Sequence, residues 1–228
     1  MLPRPKLSQI AEDICKQRPV ADHSLEQFLM EPASMVEQVY CLQDFEFESL
    51  VVFIGDDDHL SILLAEALGC AIDVYDVDER IVESINKLAK RRNVRVRAFP
   101  YDVMDSFPRP GQYRRFYINP PYSSKTLGLG AKVWIQRALE AIAVDGVGVL
   151  VYPGFESQQA LSWIGENLHA LQAYLADAGC FVYRIDVDKH RYEDTNDRYL
   201  FSTNYHIKRM VPVDIPKVEV CDAERLYR

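Results

Sequence analysis

The sequence predicts an α/β fold: a seven-stranded, mostly parallel sheet with helices on both faces and an antiparallel C-terminal strand. Three observations carry this expectation. Leu50 to Ile54 is a continuous apolar, β-branched run ending at Gly55, as a strand buried on both faces of a parallel sheet reads. Strand-like and helix-like stretches then alternate as far as Ala178. Gly69 and Gly179 fall where helices should stop, because glycine closes a helix C terminus in left-handed backbone without steric cost.

Taken in order, residues 1–45 read as an N-terminal helical arm. Leu7, Ile10, Ala11 and Ile14 share one stripe, predicting an amphipathic helix over Leu7 to Lys16. Pro32 suits a first helical turn, after which Met35, Val36, Val39 and Leu42 recur at helical spacing. Residues 46–210 read as a Rossmann-like catalytic domain. After the first strand comes a helix from His59 to Gly69, then a strand over Cys70 to Val77. A helix over Asp78 to Lys90 follows, with Asp78 as its N-cap and Ile81, Val82, Ile85 and Leu88 toward the sheet. Val94 to Phe99 and Phe116 to Ile118 read as the third and fourth strands, Lys132 to Ile142 as a helix and Gly146 to Tyr152 as the fifth strand. Gln158 to Ala178 is a long helix. Cys180 to Val187 and Tyr199 to Lys208 are an antiparallel pair joined by a charged loop, and residues 211–228 a peripheral tail.

The 228 residues suit one domain with a short extension. No apolar run approaches the roughly 20 residues of a membrane span, and Met1 to Lys6 leads into no signal-peptide core, so a cytoplasmic protein without membrane contact is expected. Five scattered cysteines show no Cys-x-x-Cys spacing and read as thiols in a reducing compartment. His190 and His206 lack metal-ligand spacing and read as structural or exposed, so no metal is expected. A net charge of −8 opposes generic nucleic-acid binding and suits a cationic ligand. The basic run Lys87, Lys90, Arg91, Arg92, Arg95 and Arg97 reads first as cations complementing the end of a helix dipole.

The chemistry gathers in the turns that follow the strands, where open α/β sheets bind ligands. Gly55-Asp56-Asp57-Asp58 holds one glycine where nucleotide folds carry several, and three acids that would repel a pyrophosphate. They suit a cation instead. Asp76 closes the second strand about 20 residues after Gly55, where a carboxylate accepts from ribose hydroxyls. Asp102 follows the third strand. After the fourth comes Asn119-Pro120-Pro121-Tyr122, in which two prolines fix φ and donate no N–H. An amino group beside this turn can donate to the Asn119 side chain and the Pro120 carbonyl while Tyr122 stacks on it, leaving the nitrogen lone pair free.

Asn119-Pro120-Pro121-Tyr122 resembles the signature of class I methyltransferases that act on adenine or glutamine nitrogens with S-adenosylmethionine. That resemblance implies the class I methyltransferase fold, an adenine-binding role for Asp102, and a cofactor-covering segment around Phe28, in Leu25 to Val39. Gly55-Asp56-Asp57-Asp58 with Asp76-Val77-Asp78-Glu79-Arg80 is similar to a narrower family, the branched-chain polyamine synthases, which move aminopropyl groups onto spermidine. In that family the acidic turn and an Asp-Pro-Pro turn hold and deprotonate the attacking amine. Here the second turn begins with Asn119, which cannot act as a base, so proton removal would pass to Asp56, Asp57 or Asp58. The leading expectation is N-methyl transfer from S-adenosylmethionine to an amino nitrogen of a nucleobase, with Asn119, Pro120, Tyr122 and Asp58 catalytic and Gly55, Asp56, Asp57, Asp76, Asp102 and Phe28 binding the cofactor. A nucleic acid target would need a partner or a single-stranded or flipped base. The alternative is aminopropyl transfer from decarboxylated S-adenosylmethionine to a polyamine; a third reading is a catalytically silent binding subunit.

Overall fold

The structure, a computed structural model, describes residues 2–44, 50–121, 128–153, 162–193 and 201–219. Helix α1 (Arg4–Cys15) carries Pro5 in its first turn, where no needed donor is lost, and buries Leu7, Ile10, Ala11 and Ile14. Its start lies before the expected Leu7 because Pro3 supplies the first acceptor, to Lys6 and Leu7. A short 3-10 turn, His23–Leu25, precedes α2 (Pro32–Leu42).

The sheet follows as expected. Strands β1 (Val51–Ile54), β2 (Ile72–Asp76), β3 (Val96–Pro100), β4 (Tyr113–Ile118), β5 (Ile142–Pro153), β6 (Cys180–His190) and β7 (Ser202–Arg209) lie in the order β3-β2-β1-β4-β5-β7-β6. The first five run parallel, and β7 is inserted antiparallel between β5 and β6. The crossovers are α3 (Leu60–Leu68), α4 (Glu79–Arg92), α5 (Leu129–Ala141) and α6 (Ser162–Asp177).

Two apolar clusters sandwich this sheet. Helices α1 to α4 pack one face through residues such as Leu7, Met35, Leu63 and Ile85, and α5 and α6 cover the other through Ile135, Leu139 and Leu171. Every residue of β1 and β2 is buried, the two-sided burial their composition predicts. Gly69 ends α3 at φ 69° and Asn93 ends α4 at φ 54°. Asp78 caps α4, its side chain accepting from the Arg80 N–H.

Several boundaries differ from expectation. β4 starts at Tyr113 rather than Phe116, because the Tyr113 hydroxyl donates to buried Asp73 and anchors the strand's first turn of pleat. β5 starts at Ile142 and runs directly out of α5. The run at Arg91 to Arg97 is taken up by acids and carbonyls: Arg92 pairs with Asp13 and Glu66, Arg97 with Asp73, and Arg95 donates to the Gly69 carbonyl. His190 and His206 are both buried, which corrects any exposed reading. His190 contacts Gln38 and Asn204, His206 bonds Asp186, and burial lowers both pKa values, that of His190 to about 4. Cys15, Cys41, Cys70 and Cys180 are free thiols. Among the described residues no helix is long and apolar enough to cross a membrane and no cluster could hold a metal ion.

Candidate active site

Parallel pairing decides where the site lies. Ile54 at the end of β1 stands opposite Tyr75 of β2 on one side and Ile118 of β4 on the other. The chain therefore leaves the sheet at three adjacent points with Gly55 to Asp58, Asp76 and Asn119 to Pro121, along one carboxyl edge. Gly55 has φ 80°, which favours glycine, and its N–H donates to the Tyr75 carbonyl.

The three aspartates have different surroundings. Asp56 is buried, and its carboxylate accepts from the backbone N–H groups of Leu60 and Ser61, capping α3, while its own N–H donates to Asp76 at 3.0 Å. Asp58 is buried against the N-terminal arm. It accepts from the Met30 N–H and the Asn119 side chain, and the Arg18 guanidinium lies 3.7 Å away. Asp57 lies between them, half-buried, and among the described residues nothing donates to its carboxylate. Burial raises the pKa of all three. For Asp58 the value is about 6, because Met30, Arg18 and Asn119 hold it back. Asp57 stands well above the ordinary value, pushed further by the charges of Asp58, Asp76 and Asp56.

Next in the chain, His59 holds a left-handed φ of 59° that side chains other than glycine rarely adopt. Its ring is buried between the Asp57 carbonyl at 3.2 Å and the Ser84 hydroxyl at 2.8 Å, and burial lowers its pKa to about 4. A neutral imidazole thus pins the turn to α4.

Asp76, raised to about 6 by burial, accepts from the backbone N–H groups of Asp56, Asp78 and Val77. About one of the carboxylate's four acceptor sites remains open. Beside it a cavity of about 500 Å³ is lined by Val77, Pro100, Tyr101, Asp102, Asp105 and neighbours, beyond the ends of β2 and β3. The Asp102 carboxylate accepts from the Met104 N–H at that rim.

The arm packs against the acidic turn in a way that sequence spacing did not reveal. Arg18 is buried, donates to the Met30 carbonyl at 3.0 Å and pairs with Glu193 at 2.9 Å. Residues 29–31 lie antiparallel to 191–193, with Glu193 N–H to the Leu29 carbonyl and Glu31 N–H to the Arg191 carbonyl. Tyr192 carries its hydroxyl to Ser202 at 2.8 Å and to the Asn119 oxygen at 3.5 Å. Arg18, Glu193 and Tyr192 reach the site from 40 and more residues away, so no local motif marks them. Of the expected residues, Gly55 to Asp58, Asp76 and Asn119 to Pro120 come together here, and Asp102 lines the adjoining cavity. Phe28 is half-buried in the same arm, its ring 5.6 Å from that of His23. Tyr122 lies outside the described residues.

Comparison with known proteins follows this geometry. An uncharacterized protein of Methanocaldococcus jannaschii is 25% identical over 97% of this chain and 56% of its own length. The N(4)-bis(aminopropyl)spermidine synthase of the same organism is 29% identical over 58% of this chain and 38% of its own length. The chain thus spans about half or less of the curated relatives it matches. The branched-chain polyamine synthase of Thermus thermophilus, solved with N4-aminopropylspermidine and 5′-methylthioadenosine, superposes with a TM-score of 0.77 at 21% identity, covering 98% of this chain and 70% of that one. A SAM-dependent O-methyltransferase of Thermotoga maritima shares the fold at TM-score 0.56 and 13% identity, over 90% of this chain and 72% of that one. The family described as the branched-chain polyamine synthase A C-terminal domain matches residues 6–220, and with nearly the whole chain inside that match the protein belongs to this family.

Proposed function

We propose that the chain transfers an aminopropyl group from decarboxylated S-adenosylmethionine to an amine nitrogen of a polyamine. The observation that carries this reading is Asp57. Among the described residues it is a carboxylate without a donor, at the carboxyl end of the central strand, between two acids already engaged by protein groups. A free carboxylate there can bind an ammonium group and accept its proton. Asp56 is occupied as a helix cap and Asp58 as the acceptor for Met30 and Asn119, so proton removal falls to Asp57 where Asn119 cannot perform it.

When bound, the donor supplies a sulfonium-activated carbon, and the new C–N bond forms as the C–S bond breaks and 5′-methylthioadenosine leaves. The residues present fit such a donor. Asp76 retains acceptor capacity for ribose hydroxyls, and the cavity at Val77, Tyr101 and Asp102 adjoins it. Arg18, which lies 3.7 Å from Asp58, is already engaged by Met30 and Glu193, which favours a donor that brings no carboxylate. Asn119 and the Pro120 carbonyl would orient the entering nitrogen, a gain from positioning rather than from chemistry.

A second reading is methyl transfer to a planar amino nitrogen, and Asn119 favours it, since an amide at this turn needs no proton acceptor. Both readings are tested by incubating the protein with spermidine and each donor, then weighing the products. Aminopropylated spermidine with release of 5′-methylthioadenosine is expected, and Asp57→Asn should abolish it. Methylated product from S-adenosylmethionine, with no product from the decarboxylated donor, would overturn the proposal.

A further inference from the structure

Beneath the Asn119 turn lies a set of polar side chains that the proposed chemistry leaves unused. Gln38 of α2 and Asn204 of β7 exchange side-chain hydrogen bonds at 3.0 and 2.7 Å, Gln38 also donates to the Tyr117 hydroxyl at 3.0 Å, and His190 of β6 contacts both amides. Gln38, His190 and Asn204 are wholly buried and Tyr117 nearly so. A buried polar network carries a cost that packed apolar side chains avoid, and with its bonds made it holds its members in one arrangement. What it holds is Tyr117, two residues before Asn119, and Tyr192, whose ring stacks on that of His190 at 6.5 Å and 18°. The backbone fixes Tyr192 as well: it bridges to Met30, and the Arg191 N–H donates to the Ser34 hydroxyl at 2.9 Å.

The Tyr192 hydroxyl, 2.8 Å from that of Ser202, donates to Oδ1 of Asn119 at 3.5 Å. The Asn119 side chain also bonds Asp58, whose carboxylate takes a donor, so the amide nitrogen faces Asp58 and the amide oxygen faces Tyr192. Both partners select the same one of the two orientations an amide can take. We infer that Tyr192 is a positioning residue, whose hydroxyl fixes the Asn119 amide so that the second lone pair of Oδ1 is left to accept from an entering amine. A donor on the oxygen and an acceptor on the nitrogen polarise the amide in the same sense, which strengthens both bonds. Without the hydroxyl, Asp58 alone holds the amide, and Oδ1 is free to swing away from the reacting nitrogen. This role needs Asn119 to receive the acceptor nitrogen, as both readings of the reaction have it, and is indifferent to the donor.

The test is Tyr192→Phe in the full chain, which removes one oxygen and keeps the ring on His190. In whichever transfer the chain performs, kcat should fall about tenfold, the loss of one positioning hydrogen bond, while KM for the donor is unchanged. A merely structural role would lower the urea midpoint and leave kcat at its wild-type value, and that result would overturn the inference. The proton–nitrogen NMR spectrum gives a readout independent of turnover. The side-chain amide pair of Asn119, identified by its loss in Asn119→Ala, should shift in Tyr192→Phe; an unmoved pair would overturn the inference even in a chain that transfers nothing. A shifted pair in a protein inactive with both donors would instead count against the proposed reaction and leave the hold of Tyr192 on Asn119 standing.

Discussion

Asp56, Asp57 and Asp58 are identical side chains in consecutive positions, and only their neighbours give them different work. Backbone donors take up Asp56, the arm takes up Asp58, and among the described residues nothing donates to Asp57. That availability carries a cost in stability. Burial and three neighbouring carboxylates raise the folded pKa of Asp57 above the unfolded value of about 3.9. For a carboxyl raised in this way the folded state favours the protonated form. Its unfavourable contribution is therefore absent below about pH 4, grows as pH rises toward the folded pKa, and is constant above it. Asp57→Asn should accordingly melt higher than wild type at neutral pH, by about 2–4 °C for each kcal/mol relieved, with the difference closing near pH 4. Scanning calorimetry of both proteins across this range checks it; a variant that melts lower at neutral pH would contradict the charge crowding. The comparison of two proteins matters here. His59 and His190, lowered to about 4, lose stability in the opposite direction as pH falls, and they cancel in the difference.

At the scale of elements, the order and type of strands and helices were legible because their burial is simple. A strand buried on both faces reads as an unbroken apolar run, and α4 shows its inner stripe as Ile81, Val82, Ile85 and Leu88. Strand ends were less legible, since tertiary anchors such as Tyr113 on Asp73 set them. Register was not legible at all. Gly148 illustrates it: in the sequence it is one glycine in a valine-rich strand, but in the sheet it stands opposite Phe116, and a Cβ there would lie 2.1 Å from the ring. The aromatic ring of β4 occupies the space a side chain on β5 would need. Gly148→Ala should therefore cost about 1–3 kcal/mol by overpacking, and Phe116→Leu in the same chain should recover part of it. Urea unfolding midpoints measure both; a wild-type midpoint for the single variant would refute the packing.

Across the whole molecule, what the sequence could show of the site was its floor, and what it hid was its wall. The acidic turn, Asp76 and the Asn119 turn each follow a parallel strand, so topology alone brings them to one edge. Arg18, Glu193 and Tyr192 come from segments with no motif of their own; Arg18 reaches Asp58 and holds Glu193, and Tyr192 reaches Asn119, because α1 and α2 fold back over the sheet and residues 191–193 pair with the arm. The outcome is a group of carboxylates at one sheet edge, in a chain of net charge −8, with Arg18 beside Asp58 already donating to Met30 and paired with Glu193. Titration calorimetry with decarboxylated S-adenosylmethionine and with S-adenosylmethionine tests this account most directly, because the two differ by one carboxylate. The decarboxylated donor should bind at least about tenfold tighter, a difference of about 1.4 kcal/mol. Equal affinity, or a preference for S-adenosylmethionine, would contradict it.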